Sequence, residues 1–388
     1  MTLELCKTSL QQTQELLGLV NATLRDLSSR KFTDKELYVE ALRRVLGGRG
    51  RRGPFSIFIL LNGKSGVSRG RVFHLSAGEI AEGSDEIVID PASVFAPERL
   101  SDEVIVSNWC DTCETVQEYQ DYFHPKVKDY IGKLITNFIC CHIGGETKGA
   151  LLAFNYPGEA TEYDARVLQS LAVVIGSLVT LSNSVRETEK AFIYTIEALA
   201  RACEADEVGT GEHIVRVNRY AGALAANMGL PVDFVEAISY SAQMHDVGKI
   251  RVPNEILLKP GSLDENELRI MRLHPVYGDM ILGDSPRLQI AREIALSHHE
   301  NWDGSGYPQG LRGESIPLSG RIVKLADVYD ALRSKRSYKP PFSHEEALSV
   351  FTVGDERIDP KRHFDPAVLA TFFGIEHIFA RIYGSLSI

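Results

Sequence analysis

The spacing of apolar residues in the first half of the chain changes from helical to strand-like. Apolar positions recur with a helical period over residues 3–28 and again over residues 34–46. Short runs rich in β-branched and aromatic residues follow, bounded by glycine or polar turns, which is typical of strands. The predicted strands are 55–61, 71–75, 86–89, 134–141 and 149–154. This order of elements predicts a mixed α/β domain.

A long helix is predicted after the last strand. Between Glu159 and Gly209 there is no proline and a single glycine, Gly176. Two interpretations remain open: a helix packed on its own domain, or a parallel dimer helix that carries a signal between two domains. Spacings of three and four make a coiled-coil seam of Leu168, Leu171, Ile175, Leu178, Val185, Phe192, Ile196, Leu199 and Cys203.

The second half of the chain, from about Arg186, is predicted to be almost wholly helical. Asp264 and Glu267 form a capping-box pattern at the start of one helix. The predicted helices are 210–228, 233–247, 264–272, 287–300, 317–332 and 344–351. We therefore expect an α/β domain followed by an all-α domain.

Length and charge limit the classes of protein to which this chain can belong. A chain of 388 residues is about the size of two domains. Its net charge of −10 gives it no general attraction for DNA, RNA or an anionic membrane. The start carries no signal peptide, and no run approaches the roughly 20 apolar residues of a membrane helix. We expect a cytoplasmic protein that has no membrane partner and reduced thiols.

The cysteines of the first half leave two interpretations open. Cys110 and Cys113 have a spacing used by metal and redox sites, and Cys140 and Cys141 end a predicted strand. Adjacent strand residues point to opposite faces, which favours buried thiols over a shared site.

Histidine and aspartate residues are concentrated in the helical half. For one such histidine, a hydrogen-bonded core residue would be the preferred interpretation. A carboxylate among apolar helix positions, as at Asp327, is costly unless it is paired or bound to metal. Imidazole and carboxylate together suit iron, manganese or zinc, and the absence of thiolate argues against a structural zinc finger. The set is His213, His245, Asp246, His274, His298, His299 and Asp327.

Three motifs extend this set. HDVGKI begins at His245, HHENWDGSGYPQGL begins at His298, and DVYDALRSKRSYK begins at Asp327. Together they resemble the HD-GYP family of cyclic di-GMP phosphodiesterases. The resemblance covers roughly residues 186–373 and includes LLKPGSL, LHPVYGDMIL and HFDPAVL.

The resemblance implies a role for each matched residue. Asp246 would bridge two divalent metal ions, most commonly iron or manganese, and His213, His245, His274, His298, His299 and Asp327 would complete their ligands. Lys249 would lie near the scissile phosphate. Gly306, Tyr307 and Pro308 match the signature loop, and Arg336 and Lys339 match residues that hold phosphates. Where some members place a third-metal glutamate, this chain has Gly209, with Glu207 and Glu212 nearby, so two metal ions are expected.

The predicted elements and the resemblance together divide the chain into four parts. Residues 1–30 would form an N-terminal helix and residues 31–165 a sensor domain, which resembles a GAF domain in its order of elements. Residues 166–205 would form a connecting dimer helix and residues 186–388 the catalytic domain. The implied partners are cyclic di-GMP, a second copy of the chain and a diguanylate cyclase.

The implied reaction is attack of a metal-activated water on one phosphorus of cyclic di-GMP, giving pGpG and/or GMP. A cyclic GMP-AMP substrate, a non-catalytic receptor and a nucleoside-triphosphate phosphohydrolase are the alternatives.

Residues 312–339 are also rich in basic side chains, which indicates either an anionic ligand or a solvated helix face. Trp302 and Tyr307 could stack on a guanine or pack the loop.

Overall fold

A computed structural model describes residues 42, 53–62, 67–76, 79–96, 104–144, 149–203, 210–334 and 341–386. The chain divides into two compact units, Met1–Thr188 and Glu189–Ile388. The helix predicted over 3–28 lies outside the described residues, as does that over 34–46 except for Leu42, which is helical.

The first unit contains an antiparallel sheet, and all five predicted strands are confirmed, four of them with shifted bounds and 149–154 with the predicted bounds. The strands are β1 Ser56–Asn62, β2 Ser68–Ser76, β3 Glu79–Glu82, β4 Ile87–Ile89, β5 Ile105–Asn108, β6 Asn137–Ile143 and β7 Gly149–Phe154. Of these, β3 and β5 were not predicted. The strand order is β3-β2-β1-β7-β6-β5, with β4 paired to β2.

The sheet buries both faces because apolar residues occupy successive strand positions. In β1, Ile57 and Ile59 join one core, and Phe58 and Leu60 join the other. Short helices cover the second face, with Tyr119 and nearby aromatic residues packed on it. They are α1 Trp109–Thr112, α2 Val116–Tyr119 and α3 Pro125–Ile131.

The helix predicted between Glu159 and Gly209 is observed as α4, Glu162–Cys203. Its first part packs on the sheet, so Leu168, Leu171 and Ile175 belong to the core of their own unit. By length and composition alone, α4 is long and apolar enough to cross a membrane, since one 18-residue window has a mean hydropathy of 1.6. Half of that window is buried in the structure.

The second unit is helical, as predicted. Its helices are α5 Thr210–Asn227, α6 Val232–Ser241, α7 Asn254–Leu257, α8 Glu265–Met271, α9 His274–Leu282, α10 Gln289–Ser297, α11 Leu318–Arg333, α12 His344–Val353, α13 Pro360–His363 and α14 Pro366–Leu386. The capping box of α8 is confirmed, because Asp264 accepts from the amides of Asn266 and Glu267 while Glu267 accepts from the amide of Asp264.

The prediction of one helix over 233–247 is wrong. Helix α6 ends at Ser241, and the tighter 3-10 turns Ala242–Met244 and Val247–Arg251 follow. The backbone must turn here to approach α9. A Cβ at Gly248 would lie 1.9 Å from the carbonyl oxygen of His274, so only glycine permits this contact.

Aromatic residues from three helices form the core of the second unit. Tyr220 of α5 stacks on Phe379 of α14 with ring centroids 4.4 Å apart, and Tyr329 of α11 packs on the same ring at 5.1 Å. All three side chains are fully buried. Burying the Phe379 side chain stabilises the fold by roughly 1.5–3 kcal/mol. This packing holds α5 beside α11, the two helices that carry His213 and Asp327.

Candidate metal centre and substrate loop

The structure brings all seven predicted metal ligands into two groups. Within each group the candidate ligand atoms lie within 4.8 Å of one another. The ligands come from α5, from the turn after α6, from the start of α9, from the residues after α10 and from α11. The first group is Asp246, His274, His298 and His299, and the second is His213, His245 and Asp327.

Asp246 lies between the two groups. Its Oδ1 is 3.2 Å from Nε2 of His274 and 3.6 Å from Nε2 of His298. Its Oδ2 is 3.3 Å from Nε2 of His245, in the second group, and 2.8 Å from Nζ of Lys249. One carboxylate therefore presents one oxygen to each group.

The charges around Asp246 keep it ionised. Burial alone would raise its pKa, but the ammonium of Lys249 and the imidazole of His245 outweigh burial and hold the pKa well below its ordinary value. Asp246 is thus an anion at neutral pH, as a metal ligand must be.

The second group is held together by Asp327. Its Oδ1 lies 3.6 Å from Nε2 of His213 and 3.7 Å from Nε2 of His245. The Asp327 side chain is half-buried on α11, so the cost of burying its charge is the reason to expect a cation here.

Backbone carbonyls orient three of the imidazoles. Nδ1 of His245 lies 2.9 Å from the oxygen of Ala242, and Nδ1 of His274 lies 2.8 Å from that of Met271. His298 has the same arrangement with Ile294, at 3.0 Å. A nitrogen beside a carbonyl carries the proton, which leaves the Nε2 lone pair facing the centre.

The donor set fits a pair of divalent ions. Burial lowers the pKa of His298 and lowers that of His299 strongly, so both are neutral at physiological pH. The buried Oδ1 of Asp246 has no hydrogen-bond partner among the described residues. Neutral imidazoles and an anionic carboxylate converging on such an atom are the ligands that divalent transition metals bind.

Two residues that the sequence analysis missed support His213. Nδ1 of His213 contacts Oδ2 of Asp330 at 2.8 Å, and Arg216 donates to both oxygens of that carboxylate. Asp330 is one helical turn after Asp327 on the same face of α11, and that spacing could have identified it. Glu212, considered as a substitute third-metal ligand, accepts from Arg216 at 3.2 Å and belongs to neither group. Gly209 and Glu207 lie outside the described residues.

The loop that contains Gly306, Tyr307 and Pro308 lies against the first group. Tyr307 stacks on His299 with ring centroids 4.7 Å apart and an interplanar angle of 22°. The Tyr307–Pro308 peptide is cis. A Cβ at Gly306 would lie 2.5 Å from the carbonyl oxygen of His299, so the loop packs directly on the backbone of a candidate ligand.

Glu300 anchors this loop and was also missed. Its side chain is 1% exposed. Its carboxylate accepts from the amides of Gln309 at 2.7 Å, Gly310 at 3.1 Å and Leu311 at 3.1 Å. A buried charge is thereby satisfied by backbone donors, and both ends of the loop are tied together.

Several basic side chains of residues 312–339 contact other groups of the protein and are not free on the surface. Arg321 pairs with Asp365 and lies over the ring of Trp302, so Trp302 packs against protein. Arg333 lies 4.2 Å from the ring centroid of Tyr383. Lys324 is half-buried. Arg336 and Lys339 lie outside the described residues.

Cys110, Cys113, Cys140 and Cys141 do not form a metal group among the described residues. Cys110 is exposed, whereas Cys140 and Cys141 are buried, and burial raises the pKa of each of these two thiols to about 12. Thiols with such pKa values stay protonated and unreactive at neutral pH.

Comparison with known proteins relates the second unit to a family. Residues 197–362, most of the helical unit, match the HD domain family. A cyclic di-GMP phosphodiesterase of Vibrio cholerae serotype O1 is 43% identical over 224 residues, 54% of this chain and 44% of the relative. A cyclic di-GMP phosphodiesterase of Thermotoga maritima is 41% identical over 199 residues, 51% of this chain and 53% of the relative.

A third relative, the 3′3′-cGAMP-specific phosphodiesterase 2 of Vibrio cholerae serotype O1, is 42% identical over 226 residues, 57% of this chain and 42% of the relative. The chain spans about half the length of these curated relatives.

Proposed function

We propose that this protein is a metal-dependent phosphodiesterase that hydrolyses cyclic di-GMP to pGpG and/or GMP. The observation that carries the proposal is the position of Asp246 between two ligand groups, with Lys249 in contact with the same carboxylate. A pair of sites that share one carboxylate is the arrangement used by two-metal hydrolases of phosphodiesters.

His274, His298 and His299 would hold one ion and His213, His245 and Asp327 the other, with Asp246 shared. When bound, such ions supply Lewis acidity and a water of low pKa.

Side chains of the protein itself would stabilise charge, exclude water and bind phosphate. Nζ of Lys249, 2.8 Å from Asp246, places a positive charge where the phosphoryl oxygens gain negative charge. Tyr307 covers His299 and limits access of bulk water to that side. Arg336 and Lys339 would bind phosphate by their charge. Gly306 and Pro308 would shape the loop. Hydrolysis adds one water across a phosphorus–oxygen bond and opens the ring.

Cyclic di-GMP is the preferred substrate because relatives from separate organisms carry that name at 41–43% identity. A 3′3′-cGAMP-specific relative at 42% makes cyclic GMP-AMP the alternative to be tested beside it. Iron or manganese are the proposed ions, because the resemblance to the HD-GYP family implies them and the imidazole and carboxylate ligands of the two groups suit both metals.

For the first unit we propose a GAF-like sensor over residues 31–165, joined by residues 166–205 to a catalytic domain over residues 186–388. Support comes from the antiparallel sheet with helices on both faces. Residues 1–30 would be a separate helix. Exposed apolar side chains on α4, Val173 at 63% and Val185 at 57%, support a homodimer through this helix. A Val185→Cys variant should form a disulfide-linked dimer on oxidation, and a chain that stays monomeric would contradict this.

A cytoplasmic location and contact of the signature loop with a diguanylate cyclase complete the proposal. The proposed substrate supports the cytoplasmic location, and the signature-loop motif supports the contact with a cyclase.

The test is product analysis with the full chain. Protein loaded with Mn²⁺ or Fe²⁺ is incubated with cyclic di-GMP and, separately, with cyclic GMP-AMP, and the products are resolved by chromatography. We expect pGpG or GMP from the first, no product from Asp246→Ala, and unchanged product from Asp279→Ala. Asp279 is a matched aspartate whose partner is Arg292, away from both groups. Metal-loaded protein that cleaves neither dinucleotide would overturn the proposal and favour a receptor.

A further inference from the structure

Arg272 lies beside the candidate centre, at the end of α8 and two residues before His274. Its side chain is exposed. Its guanidinium carbon is 5.3 Å from the centroid of the Tyr307 ring, and Tyr307 in turn stacks on His299. A cation over an aromatic face is held there by the ring quadrupole. Arg272 is thus separated from the first ligand group by one side chain, that of Tyr307.

The guanidinium of Arg272 has no acidic partner among the described residues, whereas nearby arginines are engaged. Arg269 donates to Asn266, and Arg292 pairs with Asp279. The ring contact uses the flat face of the guanidinium and leaves the N–H groups at its edge, which form a planar fork matched to phosphate.

A cyclic dinucleotide carries two phosphates, and only one can occupy the metal pair at a time. The other needs a cation of its own, because the protein as a whole carries a charge of −10. Lys249 is in contact with Asp246, and Lys324 is half-buried. Arg336 and Lys339, which the family resemblance also assigns to phosphate, lie outside the described residues. Of the three described cations, Arg272 is the exposed one.

We infer that Arg272 binds the phosphate that is not being cleaved, as a bidentate ligand presented by the Tyr307 ring. The inference rests on the proposed function for its ligand. It makes Arg272 a substrate-binding residue that raises affinity for a two-phosphate substrate and leaves the chemistry at the first phosphate unchanged.

The test uses a substrate with one phosphate and no base. Hydrolysis of bis(4-nitrophenyl) phosphate by the metal-loaded full chain reports on the metal centre, and cyclic di-GMP added as a competitor gives an inhibition constant. Arg272→Gln should raise that constant about 10- to 100-fold, because a charge-assisted bidentate contact is lost. The kcat/KM for the small diester should stay within about twofold of the wild type, since no contact with the single phosphate is lost.

Two further variants and one further competitor sharpen the test. Arg272→Lys should recover only part of the affinity, since lysine keeps the charge and loses the fork. Arg287→Gln is the matched control, because Arg287 lies 5.2 Å from the ring of Phe192 in a similar contact away from the metal groups. Cyclic di-AMP, which has the same phosphates, should lose affinity by the same factor as cyclic di-GMP.

Three results would overturn the inference: an unchanged inhibition constant in Arg272→Gln, an equal loss of activity on the small diester, or a loss confined to cyclic di-GMP, which would place Arg272 on guanine. Failure of the proposed function is distinguishable. If the wild type is inhibited by cyclic di-GMP in an Arg272-dependent way but does not cleave it, the binding inference holds and the hydrolase proposal fails. If cyclic di-GMP neither inhibits nor is cleaved, both fail.

Discussion

Nδ1 of His213 lies 2.8 Å from Oδ2 of Asp330, a carboxylate that is completely buried. Burial alone would raise the pKa of Asp330, but hydrogen bonds from Arg216 and His213 lower it by more, so the group stays ionised inside the protein. The pair fixes the His213 ring with Nε2 toward Asp327. Asp330 therefore acts on the candidate second ion through His213 and is a positioning residue.

Asp330→Asn should weaken metal binding at the second group about 10- to 100-fold, because an outer partner of a ligand histidine sets its orientation and basicity. It should also lower the free energy of unfolding by about 2–4 kcal/mol, since Arg216 keeps its charge and loses its anion. Metal titration and urea unfolding measure the two effects. Asp279→Asn, at an exposed pair, is the control for both. Unaltered metal affinity in Asp330→Asn would remove Asp330 from the site.

Metal stoichiometry should separate the two ligand groups. His213→Ala removes a ligand from the second group only, so we expect one bound ion to remain of two. Asp246→Ala removes the carboxylate that both groups share, so both ions should bind weakly. Elemental analysis after dialysis against a fixed free-metal concentration measures each content. Equal losses in the two variants would contradict the shared role of Asp246.

The sequence predicts the candidate site better than it predicts the elements that build it. All seven candidate ligands lie in two compact groups in the structure, as expected if histidines and aspartates concentrated in one helical domain share a site. Glu300 and Asp330 were missed although both lie within the motifs. Their roles depend on what they contact: three loop amides for Glu300, and His213 with Arg216 for Asp330. The spacing of Asp330 from Asp327 places it on the same helix face, but the partners of Asp330 and Glu300 are distant along the chain and are not visible in local spacing.

The errors in the predicted secondary structure have similar causes. The helix over 233–247 was extended too far because the apolar period continues to Met244, while the close approach of Gly248 to His274 requires 3-10 turns. The seam assigned to α4 mixes residues that face their own units, such as Leu171, with exposed ones, such as Val185. An apolar position predicts burial and does not say against what.

Glu300→Gln should loosen the signature loop while leaving the ligands in place. A glutamine has one acceptor oxygen for three amide donors, so at least one buried N–H loses its partner, at a cost of about 1–3 kcal/mol. We expect faster hydrogen exchange in residues 301–311, a fall in kcat/KM for cyclic di-GMP of about tenfold or more, and unchanged metal content.

The matched control is Glu314→Gln, since Glu314 is exposed in the same region of the chain. Exchange rates that match the wild type in Glu300→Gln would show that the carboxylate does not anchor the loop.

Lys324 gives a prediction on pH. Burial lowers its pKa to about 8 from an ordinary value of 10.5. Below pH 8 both folded and unfolded chains hold the proton, and the folded state bears the full cost of the buried charge. Between about pH 8 and 10.5 the unfolded chain binds more protons, so stability rises with pH in this window.

Lys324→Met should therefore stabilise the metal-free protein at pH 7 by about 1–3 kcal/mol, discounted because the side chain is only half-buried. The gain should shrink as the pH rises through 8 toward 10. Denaturant unfolding at a series of pH values measures it. A gain that is constant with pH would show that Lys324 is an ordinary solvated lysine.

The two-ion centre that shares Asp246 is tested most directly by titrating metal-free protein with Mn²⁺ and following bound metal and cyclic di-GMP hydrolysis in the same samples. We predict two bound ions per chain and turnover that rises with the second. Asp246→Ala should show neither two bound ions nor turnover. Full turnover with one ion bound, or two ions bound with no hydrolysis of any phosphodiester, would contradict the account.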